Sequence, residues 1–576
     1  MTRRRIFQIV GFVLVLLGLF MSRGWYDDLS VLEDVPIAPV KGVTLLQIVL
    51  VLEGLALFWL SAKDRLYRTL AENERALIGP EPQTGSDGPT TRWILAAIIL
   101  LGFGLRLYRL SSDLWLDEIT PILDYGKLPS WQVVASFNSS NNHLLNTLLM
   151  KLSVAWFGEH EWAVRLPAML FGTATIPVLY WVARMAMSTT ASLGAALLLA
   201  TSYHHVFFSQ NARGYVSYVF FSLLATGLLV WGLQGDRLRT WALYVVSMLL
   251  NFAALLLSGF VFAAHILVGA LAVLLLWRRR TSSLPLARRL AAVFFVTGFL
   301  GFHLYATALP QAYMFVRHTY SQPASGWDPL SLEFLKELAR GISAGLGPLG
   351  ILAAVPVLLI AAVGFLTLFR RHWVLTSALA LPLVLMTAYL LASGLTFSPR
   401  FFALALPIGI LCGVQGLFSA VEWILKRAPK ESALTTRLST ALVLMGCGVS
   451  LLSLRHYYSV PKQPYSASLR YLESQRKPGE IVIVIHLAEK GYLYYGKRFG
   501  IEPGKSYFFV RSVEALDEVL SSHPGQRTYL VTTFPRFLEL HSRELAGRVS
   551  SDWEVAQKFP ATVGDGAITV WKPREQ

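Results

Sequence analysis

Five short clusters in this 576-residue chain set carboxylates, arginines and amides beside long apolar runs. The first is Leu114-Trp115-Leu116-Asp117-Glu118, two adjacent carboxylates after an aromatic suited to a membrane interface. The second is Asn142-His143, ahead of the short apolar run 144–157. The third is Glu161-Trp162-Ala163-Val164-Arg165-Leu166-Pro167, where a longer run begins. The fourth is Ser209-Gln210-Asn211-Ala212-Arg213-Gly214-Tyr215, a turn between two runs, and the fifth is Ser398-Pro399-Arg400-Phe401-Phe402. Arginine forks bind phosphate bidentately. A carboxylate can take a proton from an acceptor hydroxyl. Together they suit displacement at a sugar carbon, where an oxocarbenium-like charge develops as an anionic lipid phosphate leaves.

The elements that must position these clusters are membrane helices. Hydrophobic residues make up 54% of the chain and charged ones only 15%, against about a quarter charged in soluble domains. This excludes a disordered chain and an ordinary cytosolic enzyme. Apolar runs cover 6–22, 43–61, 93–110, 163–184, 190–208, 214–233, 240–257, 258–277, 288–308, 347–369, 373–393, 400–424 and 437–454. Most are long enough to cross a hydrocarbon core, which gives about thirteen spans. Residues 144–157 are apolar but short and carry Lys151. They are expected to lie in the interface as a juxtamembrane helix.

The net charge of +16 does not indicate a nucleic-acid partner, because the Lys and Arg fall in short loops between apolar runs. With the N-terminus inside, Arg237/Arg239, Arg278 to Arg280 with Arg288/Arg289, Arg370/Arg371 and Lys426/Arg427/Lys430/Arg437 all face the cytoplasm. Roughly twenty basic residues then lie inside and about ten in the short outside loops, as the positive-inside rule requires. All five clusters fall on the outer side. The expected domains are a two-span N-terminal extension (1–62), a cytoplasmic linker (63–92), a transmembrane catalytic domain (93–454) and an extracytoplasmic domain (455–576). The last is polar and alternates β runs (481–485, 507–510, 528–533, 568–571) with helical stretches near 466–475, 513–522 and 536–547. That pattern predicts a small α/β domain. A helical pattern is also expected at 331–342, within the outer loop 309–346.

At these clusters the sequence resembles the GT-C fold glycosyltransferases, in the branch of the protein O-mannosyltransferases and the lipid A aminoarabinose transferases. The matching pieces are Arg106-Leu107-Tyr108-Arg109, Trp115 to Glu118, Phe157-Gly158 with Glu161-Trp162 and Arg165-Leu166-Pro167, the turn 209–215, and 398–402. The resemblance implies an inverting enzyme that takes a sugar from a polyprenyl-phosphate donor. It matches the family's acidic pair to Asp117, the general base, and Glu118. It matches the family's phosphate-binding arginines to Arg213 and Arg400, joined here by Arg165. Asn142, His143, Glu161, Gln210 and Tyr215 complete the expected substrate-binding set. Two departures stand out. Asn142-His143-Leu144-Leu145 lacks the family's pair of prolines after the histidine, and Phe401 stands where the family has tyrosine, so no hydroxyl is present there.

Each signal has a plainer alternative. Arg213 and Arg400 could cap helices or snorkel to headgroups. Glu161 and Arg165, four apart, could pair on one helix face. Glu53, His265 and His303 are read as structural hydrogen-bonding groups. Tyr203, His204 and His205 end a run on the active side and could line the site. The two cysteines, Cys412 and Cys447, fall in apolar runs and are expected to be free and buried. No resident metal is assigned, since nothing fixes a ligand set, although a divalent ion would suit a phosphate leaving group. The expected partners are a polyprenyl-phosphate-linked sugar donor, a lipid, glycan or protein acceptor, and membrane lipids. The expected location is the cytoplasmic membrane, with the active site and C-terminal domain on the outer side. The alternative is a lipid-linked sugar transporter or flippase. Such folds often show paired repeats and midplane ionisable groups, and this sequence shows neither.

Overall fold

The computed structural model describes residues 3–21, 39–61, 87–137, 141–235, 237–279, 283–320, 348–394, 398–425 and 433–574. The helical pattern at 331–342, most of the linker and the cluster Lys426/Arg427/Lys430 lie outside them. The chain forms two compact units. One contains Met1–Tyr108, Pro129–Leu149 and Pro167–Leu451; the other contains Arg109–Leu128, Met150–Leu166 and Leu452–Gln576.

The first unit is helical. Its elements are α1 (Arg3–Phe20), α2 (Pro39–Ser61) and α3 (Pro89–Leu107), and, after α4 (Leu116–Tyr125) of the other unit, α5 (Ser130–Ala135). The next two, α6 (Leu144–Phe157) and α7 (Glu161–Ala183), begin or end in the second unit. Then follow α8 (Thr189–Thr201), α9 (Tyr203–Ser209), α10 (Tyr215–Gly235), α11 (Leu238–Ala254), α12 (Ser258–Arg278), α13 (Leu284–Tyr305) and α14 (Leu309–Tyr320). The last are α15 (Pro348–Arg371), α16 (Trp373–Ser393), α17 (Ala405–Ile424), which follows a 3-10 turn at Pro399–Leu404, and α18 (Ala433–Ser459), which ends in the second unit. Among the described residues, eight helices are long and apolar enough to cross a membrane, or nine when the bent pair α8/α9 counts as one. The run 144–157 is indeed a short apolar helix, α6. The expected class, a polytopic helical membrane protein with a small C-terminal α/β domain, is the one observed.

The run 190–208 is not a straight span. It bends by 58° between α8 and α9, and the physical cause is visible. Ser202 caps α9, its hydroxyl accepting the His205 N–H at 3.4 Å. The last carbonyls of α8 then lack intrahelical donors. Arg106 of α3, fully buried, supplies them: its guanidinium donates to Leu199 O and Ala200 O at 3.3 and 3.0 Å, and to Ser209 Oγ at 3.1 Å.

The second unit is built on a five-stranded sheet in the order β2-β1-β3-β5-β4. Its strands are β1 (Ile481–Ile485), β2 (Tyr507–Val510), β3 (Thr528–Thr533), β4 (Trp553–Phe559) and β5 (Ile568–Pro573). β1 runs parallel to β2 and β3, while β5 is antiparallel to β3 and β4. Central strand β1 is buried throughout, as an apolar run covered on both faces should be. Helices α19 (Tyr465–Gln475), α20 (Glu489–Gly496), α21 (Val513–Ser522), α22 (Pro535–His541) and α23 (Arg543–Asp552) surround it. The sequence missed β4, whose polar residues alternate without an apolar face, and α20. It also joined α22 and α23, which break at Ser542.

Candidate functional site

In the helical unit, a cavity of about 330 Å³ is lined by Asn142, His143, Arg213, Tyr215, Arg400 and Phe401, with apolar walls from Leu257, Phe260 and Tyr389. Three expected clusters, far apart in sequence, thus meet. The turn 209–215 between α9 and α10 presents Arg213. It is held by the Gln210 side chain, whose Nε2 donates to Arg106 O and Tyr108 O at 2.8 and 2.7 Å. Asn146 Nδ2 donates to Ala212 O at 2.7 Å from α6. Gly214 is required for space: a Cβ there would stand 2.0 Å from Ala254 O and 3.0 Å from His143 Nδ1. Asn142 Nδ2 donates to Val133 O and Ser136 O, fastening the start of α6 to α5.

Arg213 is buried and points Nε and Nη2 at His143 Nε2, at 3.1 and 3.0 Å. Its guanidinium carbon lies 5.3 Å from the Tyr215 ring centroid, a cation–π distance. The His143 imidazole is pushed down to about 3 by burial first and by the Arg400 charge second, against the Ala254 carbonyl that favours its protonation. It is therefore a neutral ring whose Nε2 accepts from arginine. The arrangement gives a cavity with two cations, no carboxylate among its described lining residues and apolar walls. Such a cavity suits an anion with a hydrocarbon tail.

The second unit carries the acidic pair. Asp117 and Glu118 lie in the first turn of α4. Asp117 is partly exposed. Glu118 is fully buried and gripped by Arg165, Nε to Oε1 at 2.8 Å and Nη2 to Oε2 at 2.7 Å. Arg165 Nη1 donates to Leu110 O and Ser112 O, and Nη2 also to Asp113 O. Lys462 Nζ stands 3.7 Å from Glu118 Oε1. Burial pushes this amine below the usual lysine range, against the attraction of Glu118.

These contacts place several of the residues singled out in the sequence. Arg165 commits its donors to Glu118 and loop carbonyls. It does not pair with Glu161, which bonds Arg498 of the same unit. Gln210 does not line the cavity and acts as a clip on backbone. Glu118 is one half of a buried ion pair. Among the described residues no group of three or more His, Cys, Asp or Glu could hold a metal ion. His205 does not line the cavity either; its Nδ1 lies 2.7 Å from Arg106 Nη2. Cys412 and Cys447 are free and buried, as expected. Sequence reasoning missed Asn146, Lys462, Gln463 and Tyr495. A buried Lys-Gln pair between two prolines, directly after the last apolar run, was the available signal.

Residues 144–320 match a family model described as dolichyl-phosphate-mannose-protein mannosyltransferase. The matched segment includes Glu161, Arg165, Gln210, Arg213 and Tyr215. The resemblance drawn above from the motifs is found again there. No curated protein matches the chain. Among solved structures, it is similar to ArnT from Cupriavidus metallidurans in the apo state, at 15% identity over 84% of this chain and 98% of that one, with a TM-score of 0.47. It is also similar to the oligosaccharyltransferase AglB from Archaeoglobus fulgidus in complex with an inhibitory peptide and a dolichol-phosphate. That match has 11% identity over 81% of this chain and 73% of that one, with a TM-score of 0.47.

Proposed function

We propose that this protein is an inverting membrane glycosyltransferase that moves a sugar from a polyprenyl-phosphate donor to an envelope acceptor, a lipid, glycan or protein, on the outer face of the cytoplasmic membrane. The observation that carries the reading is the cavity in which Arg213 and Arg400 meet over apolar walls. The family match over the segment holding Arg213 supports it.

In this reading Arg213 and Arg400 hold the donor phosphate. Tyr215 and neutral His143 fix the plane of the Arg213 guanidinium. The apolar walls take the first isoprene units. Asp117 accepts the proton of the acceptor hydroxyl. The acceptor oxygen attacks the anomeric carbon from the face opposite the phosphate. The bond between that carbon and the phosphate oxygen breaks, and its electron pair stays on the phosphate, where the arginines stabilise the added charge. The anomeric configuration inverts. The Glu118–Arg165 pair keeps the first turn of α4 in place.

The test is mass spectrometry of envelope lipids, glycans and proteins from cells with and without the protein, combined with binding of undecaprenyl phosphate to the purified chain. A product that gains one sugar, together with saturable lipid-phosphate binding lost in Arg213→Ala, supports the reading. Saturable binding without any glycosylated product favours a flippase instead.

A further inference from the structure

The C-terminal sheet unit contains more than a sheet. It includes the loop and helix that carry Asp117, and the bonds between them follow a pattern. Asp113 accepts from the Ser466 N–H at 2.7 Å and from Ser466 Oγ at 2.8 Å. The Leu114 N–H donates to the Tyr495 hydroxyl at 2.6 Å. The Leu116 N–H donates to Gln463 Oε1 at 2.9 Å. Lys462 faces Glu118. At the other end of α4, Lys490 pairs with Asp124 at 2.8 Å. Gln463 is fully buried, and its amide continues to Thr533 Oγ1 at 2.9 Å, at the end of β3. The Lys462 carbonyl accepts from the Val563 N–H at 3.4 Å, and the Tyr495 ring stacks on Tyr465 with centroids 6.0 Å apart.

A helix start has unpaired backbone N–H groups, normally satisfied by a nearby cap. Trp115, at the cap position of α4, carries no acceptor on its side chain, and Glu118 Oε2 reaches back to accept from the Trp115 N–H at 3.2 Å. The Leu114 and Leu116 donors are met instead by side chains 347 and more residues away. This is a costly way to end a helix unless the position of that end matters. Simple packing of a domain on a loop would not need two buried and two half-buried hydrogen bonds to residues 113–116.

We propose that residues 462–466, with Tyr495, form a clamp that sets the position of Asp117, so that the C-terminal sheet is a working part of the transferase rather than a cap over it. The proposal rests on the reading of Asp117 as the base. Gln463, Ser466 and Tyr495 are positioning residues: they fix residues 113–116, directly ahead of Asp117, and act through it.

The experiment uses the full-length protein. Gln463→Leu, Ser466→Ala and Tyr495→Phe are compared with Tyr492→Phe, which removes a buried hydroxyl bonded to Ser468 within the same unit. Three quantities are read: product formed in cells lacking the native copy, undecaprenyl phosphate affinity, and amide exchange in residues 113–120. The clamp variants should lower product formation about tenfold each, as expected for a polar group left without its partner. They should speed exchange in 113–120 and leave undecaprenyl phosphate affinity unchanged. Tyr492→Phe should do none of this. In an Asp117→Asn background the clamp changes should cost nothing further, since residues that act as a unit are not additive. If Gln463→Leu does not fold, Tyr495→Phe, which removes a single hydroxyl, carries the test. Normal product from folded clamp variants overturns the proposal, as does a loss that comes with weakened lipid binding. If Asp117→Asn itself makes normal product, the base assignment fails, and the clamp as a device for it fails too. Clamp failure alone shows as a dead Asp117→Asn beside fully active clamp variants.

Discussion

Arg213 directs two of its donors, Nε at 3.1 Å and Nη2 at 3.0 Å, at the single Nε2 of His143. This relationship fixes the tautomer. Nε2 is the acceptor, and Nδ1 carries the proton toward the Ala254 carbonyl. A protonated ring would set two cations against each other inside a buried cavity.

The pH dependence follows from that. Burial, then Arg400, holds the His143 imidazole at about 3 in the folded protein, below its ordinary 6.5. Between those values the unfolded chain binds the extra proton, so stability rises with pH across this window and is lost as pH falls toward 3. Thermal unfolding of the wild type and of His143→Gln, compared from pH 6.5 downward, should show a shallower acid slope in the variant. Identical slopes would mean that His143 does not stay neutral in the fold. Binding of undecaprenyl phosphate should show no step near pH 6.5 that disappears in His143→Gln.

Arg213→Ala and Arg400→Ala should each weaken undecaprenyl phosphate binding. Loss of a charge-assisted bond costs about 1.5–3 kcal/mol, or roughly 10- to 150-fold in affinity. Lysine at either position should restore part of it, because it keeps the charge and lacks the planar fork. Titration calorimetry on purified variants checks this. Wild-type affinity in both alanine variants would remove the phosphate from this cavity.

The Glu118–Arg165 pair leads to the opposite expectation. Both side chains are buried. Removing one partner of such a pair typically costs about 3–5 kcal/mol, since it strands the other charge. Arg165→Met should therefore lower the melting temperature markedly while the folded fraction binds undecaprenyl phosphate normally. Combining it with Glu118→Gln should recover part of the loss. A well-folded Arg165→Met that has lost lipid binding would return Arg165 to the phosphate site.

Sidedness is tested separately. The proposed orientation puts the basic loops in the cytoplasm and the C-terminal unit outside. In intact cells Ser474→Cys, at an exposed position of α19, should react with an impermeant thiol reagent, whereas Ser283→Cys, just ahead of Arg288 and Arg289, should not. The reverse pattern would invert the orientation and move the site to the cytoplasm.

Most apolar helices, though not the bend at Ser202, were readable because hydropathy is a local property. Strands β1, β2, β3 and β5 were readable for the same reason. Strand β4 was not, because its residues face mainly outward and carry Glu554, Gln557 and Lys558. The meeting of His143, Arg213 and Arg400 was expected only through sidedness and family resemblance; its geometry depends on the break at Ser202 and on the small volume of Gly214. The pairing of Arg165 with Glu161, left open in the sequence, does not form, for a clear physical reason. The i, i+4 rule favours Glu161 by a few tenths of a kcal/mol. A forked bond to a fully buried carboxylate outweighs it, and nothing local signals a partner 47 residues away. The roles of Lys462, Gln463 and Tyr495 were hidden for the same reason: their partners lie more than 340 residues back in the chain.

The most direct test is Asp117→Asn in the full-length protein, with sugar-modified product and undecaprenyl phosphate affinity measured on the same preparation. The amide keeps the size of the carboxylate and cannot take the acceptor's proton. General-base catalysis is worth about 10²–10⁴-fold. Product formation should therefore fall by at least about 100-fold, with lipid binding and melting temperature unchanged. Near-normal product from a well-folded Asp117→Asn protein would contradict the account.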